Sequence, residues 1–78
     1  MNLHTFIAHI EEEFDGLPSG TITGDTAFRK LDAWSSMMAL ILIARIDSDY
    51  NVNLTAEELA EANTVNDLFD LVKTRVPA

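Results

Sequence analysis

The stretch Trp34-Ser35-Ser36-Met37-Met38-Ala39-Leu40 decides how the rest of this chain is read. Two hydroxyl residues stand where a glycine-dotted, irregular segment gives way to an unbroken apolar run from Met37 to Ala44. Serine at such a junction caps a helix, because its side-chain oxygen accepts a hydrogen bond from a first-turn amide that has no partner of its own. A phosphate ester at the same place would lie at the positive end of the helix dipole, among unpaired amides. The junction therefore has two readings, a pair of capping serines or a point of attachment.

Working outward toward the C-terminus, the pattern from Ser36 to about Tyr50 is helical and apolar almost all round. Met37, Leu40, Ile43 and Ala44 recur at one face, and Met38, Ile41 and Leu42 fill the remaining angles. A helix hydrophobic on every side is normally buried on every side. A chain of 78 residues is too short to surround one, so part of this surface is expected to stay open as a contact face. Arg45, Asp47, Ser48 and Asp49 restore polarity, and Asn51 to Asn53 breaks the helix. Thr55-Ala56-Glu57-Glu58 has the spacing of a capping box and predicts a short helix through about Ala62, closed by Asn63. Thr64-Val65-Asn66-Asp67 reads as another N-cap with an acid in the first turn. Val65, Leu68, Phe69 and Val72 give the inward stripe of a last helix, with Lys73 and Arg75 near its end and Pro77 as the stop.

Working outward the other way, Leu3, Phe6, Ile7, Ile10 and Phe14 form one stripe of an amphipathic helix, stopped by Gly16, Pro18 and Gly20. His9 flanks either face, and with no matching cluster His4 and His9 read as ordinary surface residues. Residues 15 to 34 form a long connection whose apolar anchors are Ile22, Phe28, Leu31 and Trp34. A turn of helix is expected near 26 to 31, capped by Asp25 or Thr26. The fold class is all-α: a small four-helix bundle of three principal helices and one short one with a long first loop, in one domain over residues 1–78.

Composition bounds the function. Hydrophobic residues make up 47% of the chain, which argues for a folded globule and against disorder. There is no cysteine, so no disulfide, thiolate metal site or cysteine nucleophile is available. Thirteen acidic against five basic residues give a net charge of −8, which repels nucleic acid and anionic membranes and favours basic partner surfaces. The apolar run Met37 to Ala44 falls well short of the roughly 18–20 residues of a membrane span. The N-terminus has no basic lead-in, and Glu11-Glu12-Glu13 interrupts its apolar stretch, so no targeting segment is read and a cytoplasmic location is expected.

One further constellation approaches a known pattern. Asp47, Asp49, Asn51 and Glu58 fall where a calcium-binding EF-hand loop places its first, third, fifth and last ligands, with Leu54 at the usual apolar position. Val52, however, occupies the position of the sharp turn, where glycine is called for. An EF-hand-like calcium binder at Asp47–Glu58 is thus a lesser alternative, and no dedicated metal site is expected. Nothing in the sequence offers a nucleophile with a positioned base or a phosphate-binding glycine loop, so an enzyme is not expected either.

The junction itself, with what flanks it, resembles the acyl carrier proteins of the phosphopantetheine-attachment family. That family's hallmark is Asp-Ser-Leu at the start of the second helix, and here it stands as Ser35-Ser36-Met37, preceded by Trp34. The likeness continues at Phe28 and through Leu40, Leu42, Ile43 and Ile46. It runs on through Tyr50-Asn51-Val52-Asn53-Leu54 and into Thr64-Val65-Asn66-Asp67-Leu68, covering nearly the whole chain. The resemblance implies that Ser36, not Ser35, carries 4'-phosphopantetheine, since Met37 fills the hallmark leucine's place and the step to Tyr50 is right only when counted from Ser36. It implies a monomeric carrier that holds acyl groups as thioesters. A phosphopantetheinyl transferase would modify it, and acyl-loading and acyl-processing enzymes of a fatty acid, polyketide or other specialised pathway would act on its cargo. Ser35 replaces the family's acid, and where fatty-acid carriers bear exposed acids this helix offers Met37, Leu40, Ile41 and Ala44, with Asp47 beyond them. A more hydrophobic docking patch is therefore expected on these five residues. The alternative is a carrier fold used as a protein-interaction module and never modified.

Overall fold

In the computed structural model, which describes residues 1–77, the chain folds as four α-helices joined by irregular segments. They are α1 (Leu3–Glu12), α2 (Ser36–Tyr50), α3 (Ala56–Glu61) and α4 (Val65–Arg75), with a short 3-10 turn at Phe28–Lys30. The all-α, small-bundle expectation holds: α1 packs on α4, and α2 packs on α3.

Local chemistry sets most of the boundaries. The Asn2 side chain accepts from the Thr5 amide and starts α1. At α3 the capping box is complete, since Thr55 Oγ1 accepts from the Glu58 amide and Glu58 returns a bond to the Thr55 amide. Thr64 and Asp67 do the same for α4. α2 ends at Asn51, whose left-handed backbone (φ 57°) suits an asparagine.

The first helix differs from its sequence pattern. The apolar stripe continues to Phe14, but α1 ends at Glu12, and the Phe14 amide bonds back to the Glu11 carbonyl in a tighter turn. Phe14 is still buried, now from the loop side. His9 is not an ordinary surface residue: it is half-buried, with Nδ1 2.9 Å from the Tyr50 hydroxyl and 3.3 Å from Asp49 Oδ2, and so ties α1 to the end of α2.

The long loop before α2 is stitched down by non-local bonds. The Glu11 carboxylate accepts from the Gly20 and Ile22 amides at 3.1 and 2.9 Å. Farther on, the Gly24 and Thr26 carbonyls accept from the Asn66 and Val65 amides, filling the start of α4. A Cβ at Gly24 would run into the side-chain carboxamide of Asn66, which would have to swing off its bond to Asp25, so glycine lets the loop and this side chain pack closely. The expected turn near 26 to 31 forms, but neither Asp25 nor Thr26 caps it. Ala27 precedes it with no side-chain bond, Thr26 Oγ1 instead accepts from the Thr23 amide, and Asp25 accepts from the Asn66 side chain. What holds the turn is Phe28, fully buried against Trp34.

The core is apolar, and no polar or charged residue is buried among the described residues. Phe6 anchors its α1–α4 side, edge-on to Phe69 and tilted against Tyr50. From α2 only Leu42 and Ile46 are fully buried. Met37 and Leu40 are 67% and 64% exposed, which is the open face that an all-round apolar helix in so short a chain requires.

Candidate attachment site at the start of the second helix

The two serines at the head of α2 are not equivalent. Ser35 has extended backbone (φ −155°, ψ 172°) and is the N-cap: its Oγ accepts from the Met38 amide at 3.3 Å. Ser36 is the first helical residue, exposed, with no capping duty. Because Ser35 satisfies the third amide of the turn, the Ser36 and Met37 amides are left without intrahelical acceptors. α2 carries no acid in its first turn. An anion esterified to Ser36 Oγ would thus meet two donors and the positive helix end, with no carboxylate of that turn opposing it.

A groove of about 640 Å³ opens beside this hydroxyl, between the end of the long loop, the first turns of α2, and α3. Trp34, Ala39, Leu40 and Leu59 supply its apolar walls, and Arg29 supplies its one cation. Trp34 is held at 5.4 Å and 70° from the Phe28 ring, and it stacks at 6.3 Å on Phe14. The loop's buried aromatics therefore set one wall of the groove. On the other side Ala56 and Ala60, four residues apart on α3, leave it wide.

The residues expected to meet partners share one helix face. From Ile41 through Met37, Ala44 and Leu40 to Asp47 they span an arc of about 120° at 3.6 residues per turn. Met37, Leu40, Ala44 and Asp47 are exposed and Ile41 is half-buried. Leu40 belongs both to this face and to the groove.

The calcium-loop alternative fails on geometry. Asp47 and Asp49 lie within α2, and Asn51 is its C-cap. Asp49 is engaged by Arg45 and lies near His9, while Glu58 serves the α3 capping box and pairs with Arg75. Among the described residues no group of three or more His, Cys, Asp or Glu is placed to hold a metal ion. Val52, at the would-be turn, is a buried core residue.

Three groups away from the groove feel their surroundings in titration. The Asp49 and Glu12 carboxylates hold the Arg45 guanidinium charged still more firmly than usual. Burial first, then the Asp49 charge, pushes the Tyr50 phenol up. Arg75 first, then the Thr55 amide, holds the Glu58 carboxyl below its ordinary value.

One member of the groove carries no motif in the sequence. Arg29 has no spacing relation to Ser36 and comes to it only through the fold. Ala56, Leu59 and Ala60 do leave a trace, a small-residue pair at helical spacing around a leucine, which marks a helix face open to a neighbour.

A bundle with an apolar core and an uncommitted hydroxyl at a helix start suits the holding of an attached group. The family model for the phosphopantetheine attachment site matches residues 5–72. The chain belongs to that family of carrier proteins, which is defined by covalent attachment of 4'-phosphopantetheine to a serine. Such a carrier meets a phosphopantetheinyl transferase and acyl-processing enzymes. No curated protein and no solved structure matches the chain at a significant level. No helix among the described residues is long and apolar enough to cross a membrane.

Proposed function

We propose that Ser36 is the attachment serine, and that the chain, one carrier domain over residues 1–78, works as a monomeric cytoplasmic carrier of acyl thioesters. The observation that carries this reading is the division of labour at the helix start: Ser35 caps, and Ser36 is exposed and unemployed. The chain has no cysteine, so the only thiol of the loaded protein is the arm's own. Its own residues bind and orient. The Ser36 and Met37 amides face the phosphate, and the groove beside them offers apolar cover for the arm or its cargo, at roughly 0.8 kcal/mol per buried CH₂.

Partner recognition is assigned to Met37, Leu40, Ile41, Ala44 and Asp47. The exposure of Met37 and Leu40 supports it, and so does the absence of acids from the first turn of α2. A patch of this character fits loading and processing enzymes of a specialised acyl pathway, polyketide or otherwise, better than the strongly basic docking surfaces that acidic helices serve.

The test is incubation with a promiscuous phosphopantetheinyl transferase and coenzyme A, read by intact-mass spectrometry. One arm is expected on the wild type and on Ser35→Ala, and none on Ser36→Ala. A wild type that stays bare with a competent transferase supports the unmodified interaction module instead. An arm retained in Ser36→Ala overturns the assignment of the serine.

A further inference from the structure

We propose that Arg29 is a positioning residue for the phosphate of the Ser36-linked arm, and that it turns the arm into the groove toward α3. The inference rests on the Ser36 assignment above.

Three observations meet at this residue. The first is location: Arg29 and Ser36 line the same groove, whereas its neighbour Lys30 does not. The second is preorganisation. Arg29 follows the fully buried Phe28, and its guanidinium is fixed by Nε–H donating to the Ala62 carbonyl at 3.1 Å and Nη2 donating to Asn63 Oδ1 at 3.3 Å. Side-chain freedom is thus largely spent before any ligand arrives, and of five donors about three stay available.

The third is charge. Both acceptors on Arg29 are neutral, and it makes no ion pair among the described residues, whereas Arg45 and Arg75 are matched with carboxylates. In a chain of net charge −8, an immobilised guanidinium with no carboxylate beside an apolar wall is a vacancy for an anion. The anion that the Ser36 reading brings to this groove is a phosphodiester. Ser35, standing where the family pattern has an acid, adds no competing carboxylate. A phosphate drawn toward Arg29 starts the arm along the groove floored by Leu59 and Ala60. The groove's volume lies within the 300–1,000 Å³ or so typical of small-molecule sites.

The experiment compares ¹⁵N-labelled apo protein with the same protein after mass spectrometry has confirmed one added arm. The Arg29 Nε–H is hydrogen-bonded and so observable by NMR. It and the Leu59 and Ala60 amides are expected to shift on modification. In modified Arg29→Gln the ³¹P resonance is expected to move toward that of a freely tumbling phosphodiester, with Arg29→Lys in between. A complete mass change with the Arg29 Nε–H and both amides unmoved overturns the proposal, and because that measurement is made on the wild type, misfolding of a variant does not protect it. A shift that arises only after loading a carboxylate-bearing acyl group assigns Arg29 to the cargo and overturns the phosphate role. No mass change at all refutes the Ser36 reading, and this proposal with it.

Discussion

The two serines at the head of α2 make opposite predictions when each is cut back to alanine. Ser35→Ala removes a capping bond to the Met38 amide. Caps of this kind are worth about 0.5–2 kcal/mol. This bond is long, at 3.3 Å, and exposed, so water replaces part of it and the lower half of the range applies, about 0.5–1 kcal/mol. For a domain of this size that lowers the melting temperature by roughly 2–8 °C. Ser36→Ala removes a hydroxyl that caps nothing and places a better helix former at the first position, so its stability should stay within about 0.5 kcal/mol of wild type. Thermal melts followed by far-ultraviolet circular dichroism give the first half of the comparison, and intact mass after transferase treatment gives the second. One variant should lose stability and keep the arm; the other should lose the arm and keep stability. If Ser35→Ala melts with the wild type while Ser36→Ala falls by several degrees, the assignment of cap and attachment point is inverted, and the reasoning from the helix start fails.

Three further outcomes follow from the packing. Glu11→Ala strips the Gly20 and Ile22 amides of a charged acceptor and should cost about 2 kcal/mol in urea unfolding, with Glu11→Gln intermediate; unchanged hydrogen exchange at both amides would show that the carboxylate does not hold the loop. Phe28→Ala empties a fully buried ring site and should cost about 3–5 kcal/mol, a large part of the roughly 4–12 kcal/mol a chain this long commands; a loss below about 1 kcal/mol in the same assay would place the loop outside the cooperative core. Because Arg75 holds the Glu58 carboxyl below its ordinary value, its stabilising effect is complete above the usual glutamate range and is lost as pH falls through the lowered value. Melts of wild type and Arg75→Gln should therefore differ at neutral pH and converge in acid, and a gap that persists or widens in acid contradicts the pairing.

How much of this was legible in the sequence depended on the range of the interactions involved. The starts of α2, α3 and α4 are written in adjacent residues, Ser35 with Met38, Thr55 with Glu58 and Thr64 with Asp67, so their spacing alone located them. The end of α1 was not legible, because Phe14 keeps the helical stripe whether the chain continues as a helix or folds back through a tighter turn. The loop's true fastenings were hidden for a related reason. Glu11 reaches Ile22 across 11 positions and Asp25 meets Asn66 across 41, distances at which a propensity for local capping by Asp25 or Thr26 says nothing. At the candidate site, a pair of serines at a helix start and the open face of α2 were readable from a junction and a periodicity, while the preference for Ser36 over Ser35 came from the family resemblance. Arg29 was not legible, since a groove assembled from three separate segments leaves no contiguous mark.

Trp34 is the chain's only tryptophan, and it forms a wall of the groove beside Ser36 while leaning on Phe14 and Phe28. The single indole of the chain thus lines the groove itself. Its emission colour and its quenching by small solutes will register anything that enters the groove, so the occupancy proposed for it can be followed in real time on the native chain, with no dye attached.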